Sequence, residues 1–184
     1  MPLDERAIVT GCSRNERGAQ KRLYDAFAGR MLVVCQRYTK NRVEAEDVLQ
    51  EAFVKVFNKI ETFRFECPLE AWVKRIVVNT ALNYLRNQRH WSWMSALETA
   101  ENDASEPATA PGRLHMDELL TLVRRLPPGC QAVFNLYAIE GYNHREIADL
   151  LGVTEGTSKT QYSRARNLLQ ALLVKENRIR HGTQ

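Results

Sequence analysis

The stretch YNHREIADLLGVTEGTSKTQYSRAR, Tyr142–Arg166, restricts the fold more than any other part of this chain. Ile147, Ala148, Leu150 and Leu151 give a first helix an apolar face, and Gly152 supplies the permissive backbone of a tight turn. Val153 follows as a plug between two helices, and Thr154 stands where an N-cap hydroxyl accepts a backbone N–H. The second helix is polar and basic through Thr157, Ser158, Lys159, Thr160, Gln161, Ser163, Arg164 and Arg166. A helix of an ordinary bundle carries an apolar stripe. Here the stripe is missing from Glu155 to Gln161 and resumes at Tyr162, Ala165, Leu168, Leu169 and Leu172. A buried first helix presenting a polar second one is what a helix-turn-helix needs to enter the major groove. Thr157, Ser158, Lys159, Thr160, Ser163, Arg164 and Arg166 are therefore the expected duplex-facing side chains. The bland alternative is a helical hairpin packed inside a bundle.

Helical periodicity runs through most of the chain, and alternating strand patterns are absent. Helices are expected at about 3–11, 16–38, 43–58 and 68–89, then at 113–125, 129–140, 143–151 and 154–175. The residues from Trp91 to Gly112, WSWMSALETAENDASEPATAPG, break the pattern: they are rich in Ala, Ser, Thr, Glu and Pro. Residues 93–112 read as a flexible acidic linker between a domain at 1–92 and a second at 113–178, and the tail from Glu176 is expected to fray, with 179–184 disordered. The expected fold is all-α, two small helical bundles of which the second holds the helix-turn-helix. Charge follows the same division. Met1–His90 has 16 basic and 11 acidic residues, Trp91–Gly112 has none and 4, and the remainder has 10 and 7. The net charge of +4 favours a polyanionic partner.

Three surfaces of the first domain carry candidate chemistry. On the helix VEAEDVLQEAFVKVFNKI, Val48, Leu49, Ala52, Phe53, Val56, Phe57 and Ile60 recur as a core stripe, leaving Glu44, Asp47, Gln50 and Glu51 outside. An acidic face within a basic block suits a second, basic protein partner better than DNA. On PLEAWVKRIVVNTALNYLRNQRH, Arg75, Asn79, Asn83 and Arg86 share one polar arc, and such amides and guanidinium groups pair with base edges or phosphates. Between the two lies ETFRFEC, where Phe63, Arg64 and Phe65 combine aromatic and basic groups as a platform for unstacked bases does. Either surface also has a plain reading, as a solvated face or as a loop anchored by phenylalanine.

Cys12, Cys35, Cys67 and Cys130 show no CxxC spacing and no histidine placed to complete a zinc site, so neither metal nor cofactor is expected. Reduced thiols, the lack of an apolar signal core and the lack of a membrane-length apolar run point to a cytoplasmic protein without membrane insertion. No Gly-rich phosphate loop or nucleophile–base pairing is visible, which argues against an enzyme. A freestanding helix-turn-helix regulator remains open on these residues alone.

From about Ala19 to Leu173 the chain resembles the extracytoplasmic-function (ECF, group four) sigma factors of bacterial RNA polymerase, with the pieces in the family's order. AEDVLQEAFVKVF is similar to the region-two helix that grips the clamp helices of the largest polymerase subunits. FECPLEAWVKRIVVNTALNYLRNQRH is similar to the promoter-melting stretch, and LPPGCQAVFNLYAIEGYNHREIADLLGVTEGTSKTQYSRAR to region four. The resemblance implies a non-catalytic specificity subunit that binds core RNA polymerase and promoter DNA, duplex and single-stranded, and that an anti-sigma factor masks. It gives Asp47, Gln50 and Glu51 polymerase-binding positions and Asn79 the reading of the downstream (−10) element. The loop Glu61–Cys67 takes a flipped base, and Lys159, Thr160, Ser163 and Arg164 take the upstream (−35) element. The chain departs from the family at Ser158, where members often carry valine, and at Ser163, where many carry a bulkier apolar residue. The preferred upstream sequence is therefore not carried over.

Overall fold

The computed structural model describes residues 4–87 and 116–181, and all regular structure in them is helical. The chain divides into two compact units, Met1–Asn87 and Gln88–Gln184. The linker expected at 93–112 and the last residues, 182–184, lie outside the described residues. Among the described residues no helix is long and apolar enough to cross a membrane.

Unit one holds α1 (Glu5–Ser13), α2 (Arg17–Gln36), α3 (Arg42–Lys59), a 3₁₀ turn (Ile60–Thr62) and α4 (Leu69–Asn87). The first helix sits later than its expected 3–11 because Asp4 caps it, accepting the Ala7 N–H at 3.0 Å. It ends at Asn15, whose φ of 58° lets the Glu16 N–H return to the Gly11 carbonyl at 2.9 Å. Gly11 also allows α1 and α2 to meet, since a Cβ there would lie 2.5 Å from the Ala19 Cβ. The apolar stripe of α2, Leu23, Phe27, Met31 and Val34, is buried, as is Tyr38 just past its end. α2 packs against α3 and α4, where Val48, Leu49, Ala52, Phe53 and Val56 of α3 and Leu69, Val73, Val77, Ala81 and Leu85 of α4 are buried too. The apolar seams are thus consumed inside the unit, which fixes the polar faces of α3 and α4 outward.

Unit two holds α5 (Met116–Val123), α6 (Pro128–Phe134), α7 (His144–Leu151) and α8 (Glu155–His181). The helix expected at 129–140 is α-helical only to Phe134; Asn135–Ile139 widens into a π turn, closed by the Glu140 N–H on the Asn135 carbonyl at 2.9 Å. α8 runs past Glu176, where the tail is expected to begin. The Glu176 carboxylate pairs with Arg125 at 2.8 Å, and the helix continues to His181. The core joins Leu122, Val123, Leu126, Cys130 and Phe134 to Ala165 and Leu169 of α8.

The α7–α8 turn is built by local chemistry. Asn143 and Glu146 form a reciprocal capping box at the start of α7. Gly152, at φ 69° and ψ 37°, ends it in the left-handed region, and the N–H groups of Gly152 and Val153 both reach the Ala148 carbonyl, at 2.9 and 3.0 Å. Thr154 caps α8 through the Thr157 N–H at 3.0 Å. A Cβ at Gly152 would meet no atom within 4 Å. Gly152→Ala is therefore expected to destabilise unit two through backbone strain alone, by about 1–2 kcal/mol. Chemical denaturation of the wild type and variant checks this.

Candidate nucleic-acid interface

The start of α8 presents an outer face of Lys159, Thr160, Ser163, Arg164 and Arg166, all exposed. Lys159 is steadied by an ion pair with Glu155 at 2.7 Å, and Thr160 donates its hydroxyl to the Gly156 carbonyl at 3.0 Å. Two polar residues of this helix, one of them the expected DNA-facing Ser158, are instead turned inward. Ser158 is fully buried, with its hydroxyl 2.9 Å from His144 Nδ1 of α7. Gln161 is buried too, and its side-chain oxygen accepts the Cys130 thiol of α6 at 3.0 Å. Thr157 is half-buried, its hydroxyl 2.9 Å from that of Thr154. Ser158 therefore leaves the set of DNA-facing residues, and Thr157 serves the cap. The apolar gap in this helix is filled by satisfied polar groups rather than by an empty inner face.

His144 is the centre of this packing. Its ring stacks on Tyr137 at 4.4 Å and meets Tyr162 edge-on at 5.9 Å. Burial, followed by the charge of Lys159, holds its imidazole below the ordinary range against the opposing pull of Glu155.

In unit one, Arg75, Asn79 and Asn83 of α4 are exposed along one line, and Arg86 is half-buried, donating to Asn83 Oδ1 at 3.3 Å. The loop before α4 separates its two phenylalanines. Phe63 is buried against Trp72, with ring centroids 5.4 Å apart, and anchors the loop. Phe65 is 41% exposed, at φ 58°, and Arg64 beside it is exposed. A bulky side chain at positive φ is an outlier that the surrounding structure must hold in place.

Two family models match in chain order: sigma-70 region 2 over residues 23–90 and sigma-70 region 4 over 116–169. The chain belongs to the sigma-70 family. Its relatives place this sigma factor in the ECF group. The ECF RNA polymerase sigma-E factor of Haemophilus influenzae is 27% identical over 179 residues, 91% of this chain and 94% of that protein. The ECF RNA polymerase sigma factor SigE of Mycolicibacterium smegmatis is 32% identical over 156 residues, 82% of this chain and 60% of that protein. The sigma factor RpoE from Bartonella quintana, solved with the anti-sigma factor NepR, shares the fold with a TM-score of 0.54 at 22% identity, over 83% of this chain and 95% of that one. The chain is thus an RNA polymerase sigma factor that directs transcription initiation, and it acts by binding rather than catalysis.

In this sigma factor the acidic face of α3 is real but smaller than its sequence suggests. Asp47, Gln50 and Glu51 are exposed, and Glu51 pairs with Lys55 at 2.6 Å. Val43 and Val54 stand exposed at either end, two apolar residues that the pattern of polar positions does not reveal. Glu44 is a different case. It is half-buried, accepts the Lys40 N–H at 2.9 Å and starts α3 beside the Asn41 cap. Burial opposes its ionisation, but hydrogen bonds from Tyr84 and from Lys40 outweigh that and keep its carboxyl below the usual range. Glu44 is a structural cap that ties α3 to α4, its carboxylate already engaged within the unit.

The lowered imidazole range of His144 has a definite sign. The unfolded chain takes up a proton at the ordinary histidine value while the folded chain resists it. Unit two is therefore expected to lose stability as pH falls from neutral through that range. His144→Gln should remove this part of the slope, as read by denaturant midpoints at neutral and mildly acid pH. Equal slopes in both proteins would contradict it.

Proposed function

We propose that this sigma factor divides promoter recognition between its units. The observation that carries the proposal is the exposure pattern of α8: all five polar side chains on its outer face are free of the core while its inner face is pinned at Ser158 and Gln161. Lys159, Thr160, Ser163, Arg164 and Arg166 then read duplex DNA at the upstream element from the major groove. Asn79, with Arg75, Asn83 and Arg86, reads the downstream element, where the loop bearing Arg64 and Phe65 takes an unpaired base that Phe63 supports from the core.

The contact with core polymerase is assigned to Asp47, Gln50 and Glu51 on α3. The apolar Val43 and Val54 beside them supply area that charges alone lack. An open groove lined by Tyr24, Ala28, Gly29, Leu32 and Gln50 adjoins this face on α2 and α3. The partner surface is the clamp helices of the largest subunit, and the acidic segment 93–112 tethers domain 1–92 to domain 113–178 while both are held. An anti-sigma factor that covers these faces keeps the protein silent in the cytoplasm; Bartonella quintana RpoE, which shares the fold, is bound by the anti-sigma factor NepR.

Three variants separate the roles. Lys159→Ala with Arg164→Ala is expected to weaken upstream-dependent initiation by about 1–3 kcal/mol per lost base contact while core binding is unchanged. Asn79→Ala should shift base preference at the downstream element in transcription from a randomised promoter set. Asp47→Ala with Glu51→Ala should weaken core binding in a pull-down while helicity is retained. Loss of core binding in the α8 double variant would overturn the division.

A further inference from the structure

The loop that carries Phe65 is held from outside the matched family region. α1 precedes residue 23, where the region 2 match begins. Yet its first two residues reach the start of α4, where the loop ends, and the loop itself. The Glu5 carboxylate accepts the Leu69 N–H at 3.4 Å, across 64 positions of sequence. The Arg6 guanidinium lies 5.3 Å from the centroid of the Phe65 ring. Phe63 flanks the same ring at 4.8 Å, tilted by 55°. Phe65 is therefore a partly exposed aromatic in a strained backbone conformation, oriented by a cation on one face and a buried ring at its side. A strained conformation persists only where neighbours enforce it, and such strain gathers at binding sites.

We propose that Arg6 of α1 is part of the single-strand site: it braces Phe65 for stacking by an unpaired promoter base and sets a positive charge beside that nucleotide's phosphate. This rests on the assignment of the loop to base capture. Two properties of arginine fit the task. Its planar guanidinium stacks on a ring face, and it stays charged at every physiological pH. Arg6 is exposed, so its charge faces solvent where a phosphate would pass. Lysine would keep the charge but lose the planar group.

The test uses the full chain bound to core polymerase and a single-stranded oligonucleotide carrying 2-aminopurine at the captured position. Stacking quenches that base. Phe65→Ala is expected to abolish the quench and weaken binding roughly five- to a hundredfold. Arg6→Ala should weaken binding about two- to fivefold and partly restore fluorescence. It should also lower the slope of log affinity against log salt by about 0.7, the share of one phosphate on a single strand. Arg6→Lys should keep the salt slope while losing part of the quench, which distinguishes brace from charge. If Phe65→Ala quenches and binds like wild type, the loop does not capture a base and the underlying reading fails. If Phe65→Ala is defective while Arg6→Ala matches wild type in quench and slope, the loop reading survives and the role of Arg6 is overturned.

Discussion

A helix proposed to read duplex DNA has to be anchored without spending the face it would read with. In this sigma factor the anchor at the start of α8 is polar. Ser158 on His144 and Gln161 on Cys130 fix the rotation of the helix against α7 and α6. Hydrogen bonds are directional, so two of them set an azimuth that a smooth apolar contact leaves looser. Farther along, Ala165 and Leu169 take over with ordinary core packing. The outward display of Lys159, Ser163 and Arg164 follows from that inner registration.

Unit one solves the same problem with apolar seams. Each of its helices buries its stripe in a shared core, and the faces left over differ in kind: acidic and apolar on α3, amide and guanidinium on α4. A partner that is basic protein and a partner that is nucleic acid can therefore be met at once by adjacent helices. Cys35 and Cys130 are buried, and burial pushes them up to about 12 and about 11, far from the thiolate form at neutral pH.

Much of this is legible in the sequence, and the misses have physical causes. The turn at Gly152 and the cap at Thr154 follow from backbone chemistry, which a sequence shows directly. The stripes of α2 and α3 follow from period. Ser158 and Gln161 escape a reading that sends polar residues outward by type. Their spacing from Ala165 continues the buried stripe. Glu44 escapes it for a related reason: an N-terminal carboxylate three residues after Asn41 is a capping partner before it is a surface charge. The separate fates of Phe63 and Phe65 lie beyond sequence, since they depend on a positive φ and on contacts from α1.

The surfaces proposed to read the promoter lie on separate units, and the downstream one needs unpaired bases, so under the proposal they act together once the polymerase holds both. The most direct measurement is an electrophoretic mobility assay on a promoter fragment, with the purified chain alone and with core RNA polymerase added, followed by transcription from the same fragment. Weak, unspecific binding by the chain alone is expected, and a specific complex with a defined start site once core is present. Tight, sequence-specific duplex binding by the free chain, unchanged by core, would contradict the division of recognition between the units.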